Sequence, residues 1–261
     1  MPELPDVEAI LKYLRVTSLY KRIDKVKIFD PRVIKGNISH FKNDLIGCSF
    51  QEAKRRGKFI VVKLDSAKYL IFHFGMTGNL KYFRNKIYMP PYTRMLLDFQ
   101  NGYHLAYTFQ RMLGGIWLTP FPERLPTIAL MGPEPLDSDF TLESFLKRLK
   151  NKSKTIKILL MDQKFIAGIG NLYADEILFQ ARILPYRKAK DLNKRERIRL
   201  YKKIKEVLKE ANKVNAAVWK LKHKFIIPHR YEDNICPKCG NKLKSIKIGN
   251  RTSFFCSHCQ K

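Results

Sequence analysis

The chain has 261 residues, enough to bury a sizeable core, and its 45% hydrophobic content is that of a globular protein rather than a disordered one. Its 51 Lys and Arg against 23 Asp and Glu leave a formal charge of +28 and a pI near 10.0. No apolar run approaches the ~18–20 residues that span a bilayer, which excludes a transmembrane helix. A charge of this size draws polyanions over long range, nucleic acid foremost. A basic surface without a ligand, or a chain basic for ribosome assembly, would fit the charge alone. The start, Met1-Pro2-Glu3-Leu4-Pro5-Asp6, is acidic and proline-rich, unlike a signal peptide. A soluble cytoplasmic protein is expected, nucleoid-associated in a bacterium. Four of the five cysteines form two close pairs near the end, and Cys48 stands alone. In a reducing compartment such pairs are more often metal ligands than disulfides.

In chain order, Val7, Ile10, Leu11 and Leu14 follow Pro5 at helical spacing, with Asp6 and Glu8 in the first turn. Pro2 and Glu3 are therefore expected on an exposed leader just outside a short amphipathic helix. Residues 26 to 108 read mainly as strands. Phe59–Leu64 and Tyr69–Phe74 are β-rich runs joined by a short polar turn. Met95–Phe99 and Tyr103–Tyr107 flank Gln100-Asn101-Gly102, a hairpin signal. Short antiparallel strands in this number suggest a sandwich or a barrel. Proline clusters at Thr119–Pro122 and Met131–Pro135 mark a change to helices. Leu142–Leu149, Leu172–Ala181 and Arg195–Ala211 carry helical periodicity, with Leu200, Ile204, Val207, Leu208 and Ala211 on one face of the last. Arg187–Lys224 holds fifteen basic and four acidic residues. Such a face is as often merely solvated as it is bound to DNA.

Cys236-Pro-Lys-Cys239 and Cys256-Ser-His-Cys259 stand sixteen residues apart. Two C-x₂-C pairs at this spacing match a Cys₄ site for one structural Zn²⁺, with no position open for water. A disulfide or a redox C-x-x-C would also use such cysteines. However, the spacing occurs twice, and so short a segment cannot fold without a staple. His258 would be a bystander. Lys244–Ile248 and Thr252–Phe255 are expected as the two strands of a ribbon, with Arg251 at its tip.

The N-terminal Pro2-Glu3-Leu4-Pro5-Asp6-Val7-Glu8 resembles the start of the formamidopyrimidine-DNA glycosylase family, which is related to endonuclease VIII. The resemblance continues in order through Arg56-Gly-Lys58, His73-Phe-Gly-Met76-Thr-Gly, Met131-Gly-Pro-Glu-Pro and Met161-Asp162…Gly168-Ile-Gly-Asn171-Leu-Tyr173-Ala-Asp-Glu176. It ends in the zinc finger with Arg251. Leu4-Pro5 favours the formamidopyrimidine branch. The resemblance implies a multidomain α+β chain. Its parts would be a catalytic β-sandwich with a leading helix at 1–130, a helix-two-turn-helix domain at 131–230, and a Cys₄ zinc finger at 231–261. The implied function is a base-excision-repair enzyme, a DNA glycosylase and abasic-site lyase. Its partner is double-stranded DNA carrying a damaged base or abasic site, met by a monomer and away from any membrane.

The implied chemistry explains the position of the proline. Once Met1 is removed, Pro2 carries a secondary amine, unprotonated in useful fraction near neutrality. It can attack C1′ of the damaged nucleotide, displace the base and form a Schiff base, from which β- and δ-elimination cut the strand. Glu3 would act as general acid/base. By the same resemblance Lys58, His73, Asn171 and Arg251 grip the phosphates around the lesion, and Lys58 also belongs to the catalytic set. Met76, Arg111 and Leu113 would fill the gap left by the flipped nucleotide. From residue types alone, Met76 and Leu113 could as well be core, and His73 a satisfied strand histidine. Asn171 has local support as an expected N-cap behind Gly168-Ile-Gly170. Several positions depart from the family pattern. Asp6, near the expected lesion base, replaces a glutamate, and Leu113 a phenylalanine. Phe109-Gln110 replaces Asp-Pro, and Met112 a second arginine. The stretch between Ala211 and Cys236 is short and very basic where the family carries a loop over oxidised guanine. 8-Oxoguanine and formamidopyrimidines are the first expected substrates. The alternatives are a preference shifted to oxidised pyrimidines or other lesions, or a non-catalytic zinc-containing DNA-binding protein, against which the intact Pro2 and Glu3 argue.

Overall fold

The computed structural model describes residues 1–231 and 233–261. The chain divides into two compact units, Met1–Pro2 with Asp6–Ala129 and Glu3–Pro5 with Leu130–Lys261. No helix among the described residues is long and apolar enough to cross a membrane.

The first unit carries most of α1 (Leu4–Ser18), the strands β1 (Ile23–Ile28), β2 (Phe50–Arg56), β3 (Phe59–Leu64), β4 (Tyr69–His73), β5 (Asn79–Phe83), β6 (Thr93–Phe99), β7 (His104–Thr108) and β8 (Gly115–Thr119), and the one-turn α2 (Pro126–Ala129). They form two antiparallel four-stranded sheets of order β1-β6-β7-β5 and β2-β3-β4-β8. One apolar core takes side chains from both, including Phe50, Phe72, Leu97 and Tyr107, with Val7, Leu11 and Leu14 of α1. The β-sandwich is the expected one, and α1 covers it with the stripe its periodicity defines. The β2–β3 hairpin turns on two residues, Gly57 and Lys58. Gly57 has φ +56°, which the first position of a type II′ turn requires, so the glycine places Lys58 at the tip.

The second unit is built from α3 (Leu142–Leu149), α4 (Ile156–Met161), α5 (Asn171–Gln180), α6 (Lys194–Lys213) and the ribbon β9 (Lys244–Ile248) and β10 (Arg251–Phe255). Leu200, Ile204, Val207, Leu208 and Ala211 of α6 are all buried against α5 and its neighbours, as their spacing predicts. Asn193 and Glu196 close a capping box at the start of α6. The basic residues of α6 are partly consumed within the fold. Arg199 donates to Ala181 O and Arg197 to Leu192 O, and Arg187, which precedes the helix, pairs with Glu196 in its first turn. The Met131–Pro135 motif docks on the turn after α4, where Gly132 N donates to Gln163 O at 2.8 Å and Ala167 N to Pro133 O at 3.0 Å. A Cβ on Gly132 would fall 2.6 Å from Phe165 O, so only glycine allows this approach.

Two local expectations are corrected. Glu3 is not on an exposed leader: it is 2% exposed, and α1 already begins at Leu4. Asn171 is not the N-cap of α5 but its first helical residue. The cap is Gly170, which has no side chain to offer. One fact explains both, because Glu3 supplies the missing cap.

Candidate active site and nucleic-acid interface

At the N-terminus of α5, the Glu3 carboxylate accepts three backbone hydrogen bonds. Gly170 N and Tyr173 N donate to Oε2 at 2.8 and 3.1 Å, and Leu172 N donates to Oε1 at 2.8 Å. These are among the donors a helix start leaves unpaired, and the positive end of the helix dipole adds to the attraction. Leu4 N also donates to Gly168 O at 3.0 Å. The two glycines make room for this docking. Gly168 has φ +85°, and a Cβ there would meet Leu4 Cβ at 2.8 Å. At Gly170 a Cβ would lie 2.5 Å from Glu3 Oε1. Residues 3 and 4 are therefore locked to the Gly168–Tyr173 turn, and this fixes the origin of the half-buried Pro2, one peptide bond away. Asp6 is half-buried in the first turn of α1.

A second group lies in the β-sandwich. Lys58 is 7% exposed at its hairpin tip. His73 ends β4 with its ring 4.5 Å from that of Phe59. Burial, helped by the Lys58 charge, pulls the His73 imidazole down to about 4, so it is neutral at physiological pH. Just beyond, the β4–β5 and β7–β8 loops meet backbone to backbone. A Cβ on Gly75 would fall 2.6 Å from Gly114 N, and one on Gly114 2.5 Å from His73 O. Thr77 Oγ1 accepts from Gln110 N and Arg111 N. This pairing brings Met76, Arg111 and Leu113 together: Arg111 Nη1 lies 3.8 Å from Met76 Sδ, and Leu113 N donates to Arg111 O at 2.7 Å. Leu113 is 61% exposed and Met76 half-buried, so neither is the core residue its type would suggest. Met112, by contrast, packs on the sandwich core.

The third group belongs to the ribbon. Gly249 and Asn250, both in the left-handed region, make a two-residue turn that leaves Arg251 exposed at the start of β10. Asn171 Nδ2 donates to Thr252 O at 3.2 Å, so Asn171 and Arg251 are neighbours through one residue. Two residues that sequence reasoning missed fasten this strand. Lys157, fully buried on α4, pairs with Asp175 Oδ1 at 2.6 Å. Asp175 Oδ2 accepts from Phe254 N at 3.0 Å and from Arg230 Nη2 at 2.7 Å. Burial pulls the Lys157 ammonium down, with a smaller push the same way from the Arg230 charge, while Asp175 and, more weakly, Glu3 oppose the shift. The signal available was a lone lysine in the apolar run Ile156–Met161. Nearby, burial pushes the Glu176 carboxyl up to about 7, although Gln180 and Ile227 N donate to it.

The Sγ atoms of Cys236, Cys239, Cys256 and Cys259 all lie within 4.8 Å of one another, with 3.8 Å between Cys236 and Cys259 and 3.5 Å between Cys239 and Cys256. Four thiolates about 2.3 Å from a tetrahedral ion would stand about 3.8 Å apart, so this is a site for one structural zinc.

A buried N-terminal segment docked on a two-glycine turn, a helical unit and a Cys₄ ribbon define a zinc-finger helix-two-turn-helix protein. The comparisons with known proteins agree. Residues 1–116 match the formamidopyrimidine-DNA glycosylase N-terminal domain, 131–222 the formamidopyrimidine-DNA glycosylase H2TH domain, and 236–261 the zinc finger found in FPG and IleRS. A formamidopyrimidine-DNA glycosylase of Desulforamulus reducens is 36% identical over 276 residues, covering 100% of this chain and 99% of the relative. One of Pelotomaculum thermopropionicum is 35% identical over 274 residues with the same coverage. Among solved structures, Lactococcus lactis Fpg bound to DNA containing N7-benzyl-Fapy-dG superposes with a TM-score of 0.91 at 27% identity, covering 100% of both chains. MutM bound to DNA containing carbocyclic 8-oxo-G gives 0.91 at 28% identity, again over 100% of both chains. The chain belongs to the formamidopyrimidine-DNA glycosylase family, whose members are base-excision-repair enzymes.

Proposed function

We propose that this DNA glycosylase removes oxidised bases from duplex DNA and cuts the strand through a Schiff base on Pro2. The observation that best supports the reading is the docking of Glu3 and Leu4 on the Gly168–Tyr173 turn, which holds the chain terminus in one place. With Met1 removed, the Pro2 nitrogen attacks C1′ and the C1′–N bond breaks. The electron pair leaves with the base, which takes up a proton. The Pro2 nitrogen sheds its proton and the C1′–O4′ bond opens, O4′ taking up a proton, which leaves an iminium at C1′. The iminium acidifies C2′; loss of that proton expels the 3′ phosphate, and a second elimination, with loss of the C4′ proton, expels the 5′ phosphate. Glu3 is the nearest acid/base in sequence, and its carboxylate has a second role as the anchor.

The other roles fall to the groups described above. Lys58 contributes charge beside the reacting sugar, and His73 meets phosphate as a neutral imidazole. Asn171 and Arg251 hold phosphates from the second unit, with the zinc ribbon as their scaffold. Met76, Arg111 and the exposed Leu113 enter the gap in the stack. In functional terms the chain reads as a catalytic domain at 1–130, a helix-two-turn-helix domain at 131–230 and a zinc finger at 231–261, acting as a monomer in the cytoplasm. Asp6 and Leu113, each smaller than the residue usual in the family, favour a second reading in which the preference has moved toward oxidised pyrimidines. A panel of duplexes, each with one defined lesion, tests the function and its preference together. Nicking of duplexes with 8-oxoguanine or formamidopyrimidine, lost in Pro2→Gly, is expected. Nicking that survives Pro2→Gly would overturn the nucleophile assignment.

A further inference from the structure

Two loops of the first unit hold a methionine sulfur against a guanidinium. Met76 lies in the Phe74–Gly78 turn, which Gly78 N closes on Phe74 O at 2.7 Å. Thr77 Oγ1 accepts from Gln110 N at 3.1 Å and from Arg111 N at 3.3 Å, so the two loops keep a fixed register. The backbone around Met76 is closely packed: a Cβ on Gly78 would fall 2.3 Å from Phe74 O, and one on Gly75 2.6 Å from Gly114 N. Within this frame Arg111 Nη1 donates toward Met76 Sδ from 3.8 Å. A thioether is a weak acceptor, and the exposed Arg111 has no carboxylate partner among the described residues. Met95 is 1% exposed and Met112 packs on the sandwich core, whereas Met76 is only half-buried.

We propose that Met76 is a site of reversible oxidation by hydrogen peroxide, whose sulfoxide product is held by Arg111 and weakens the grip on damaged DNA. The sulfur lone pair attacks one peroxide oxygen, and the S–O bond forms as the O–O bond breaks. The departing hydroxide takes the proton of the transferred hydroxyl and leaves as water. Sulfur loses two electrons and the peroxide gains them. An S–O bond of about 1.5 Å and a charge-assisted N–H···O contact of about 2.8 Å, meeting at about 120°, put sulfur and nitrogen about 3.8 Å apart. That separation is already present, so the oxygen enters between Sδ and Nη1 with both loops in place. The inference rests on the reading that Met76 and Arg111 enter the gap in the stack. There the sulfoxide acts twice: it turns an apolar wedge polar, and it ties the guanidinium to the protein.

The test exposes the zinc-loaded protein without Met1, and its Met76→Leu variant, to dilute hydrogen peroxide. Peptide mass spectrometry locates the added oxygen, and affinity is read on duplex carrying an uncleavable abasic analogue. Met76 is expected to take up one oxygen. A polar group forced into the stack should weaken wild-type affinity about tenfold. Methionine sulfoxide reductases for both epimers, supplied with a dithiol, should restore it. Treated Met76→Leu should bind as its own untreated sample does. The proposal is overturned if Met76 stays unmodified while Met89, 42% exposed, is oxidised, or if Met76 is oxidised with affinity intact. It is equally overturned by a loss that the reductases do not reverse, or by an equal loss in Met76→Leu, which would place the damage at the zinc thiolates. Untreated wild type that does not prefer the abasic-analogue duplex to undamaged duplex would instead strike at the proposed function.

Discussion

Replacing Gly170 by alanine should disable the reaction while leaving the DNA-binding surfaces in place. Gly170 has φ −128°, an extended conformation that alanine adopts freely, so the substitution acts through its methyl group alone. That methyl would stand 2.5 Å from Glu3 Oε1, inside any permitted contact, and Glu3 must leave the helix start. The hydrogen bonds from Gly170 N, Leu172 N and Tyr173 N go with it. Bonds to a carboxylate are worth about 1.5–3 kcal/mol each. Three that share one group do not add fully, and a total of about 3 kcal/mol is reasonable. At about 1.4 kcal/mol per factor of ten, the population with Pro2 held in place falls up to about a hundredfold. Single-turnover borohydride trapping on abasic-site DNA should show that loss in rate, whereas affinity for an uncleavable abasic analogue should change little. A Gly170→Ala enzyme that traps at the wild-type rate would refute the idea that docking of Glu3 positions the nucleophile.

Three further outcomes are expected. Asp175→Asn leaves the buried Lys157 without its main partner and should cost about 3–5 kcal/mol in urea unfolding of the second unit. Lys157→Met should cost less, because Arg230 and Phe254 N still hold Asp175. Zinc removal by chelation, or Cys256→Ser, should weaken DNA binding by loosening the ribbon that carries Arg251, with the β-sandwich still folded by circular dichroism. His73 makes stability depend on pH. It takes up a proton near 6.5 when unfolded but only near 4 when folded, so its contribution is complete above 6.5 and is lost as pH falls through 4. The difference in urea midpoint between pH 7 and pH 5 should therefore shrink in His73→Gln.

Features encoded by local spacing were legible in the sequence. The zinc site followed from two C-x₂-C pairs, α6 from its apolar stripe, and β3 from a β-rich run whose bounds, Phe59–Leu64, are those observed. What the sequence could not reveal was set by partners far away in the chain. Glu3 looked exposed because its partners are about 170 residues distant, and Asn171 looked like a cap because nothing local indicated that Glu3 would take the place. Lys157 was hidden for the same reason: a lysine among apolar neighbours is buried only if a carboxylate waits for it, and Asp175 lies on another helix. Leu113 was ambiguous by type, and only the glycine-to-glycine approach of two loops pushes it outward.

The central claim is that Pro2 forms the covalent bond to DNA. Borohydride reduction of the complex between the Met1-free protein and lesion-bearing duplex, followed by peptide mass spectrometry, locates that bond directly. The account predicts a deoxyribose remnant on the peptide that begins at Pro2, and no adduct with protein that retains Met1, where the nitrogen is an amide. A remnant on an internal lysine, or an adduct formed with Met1 in place, would contradict it.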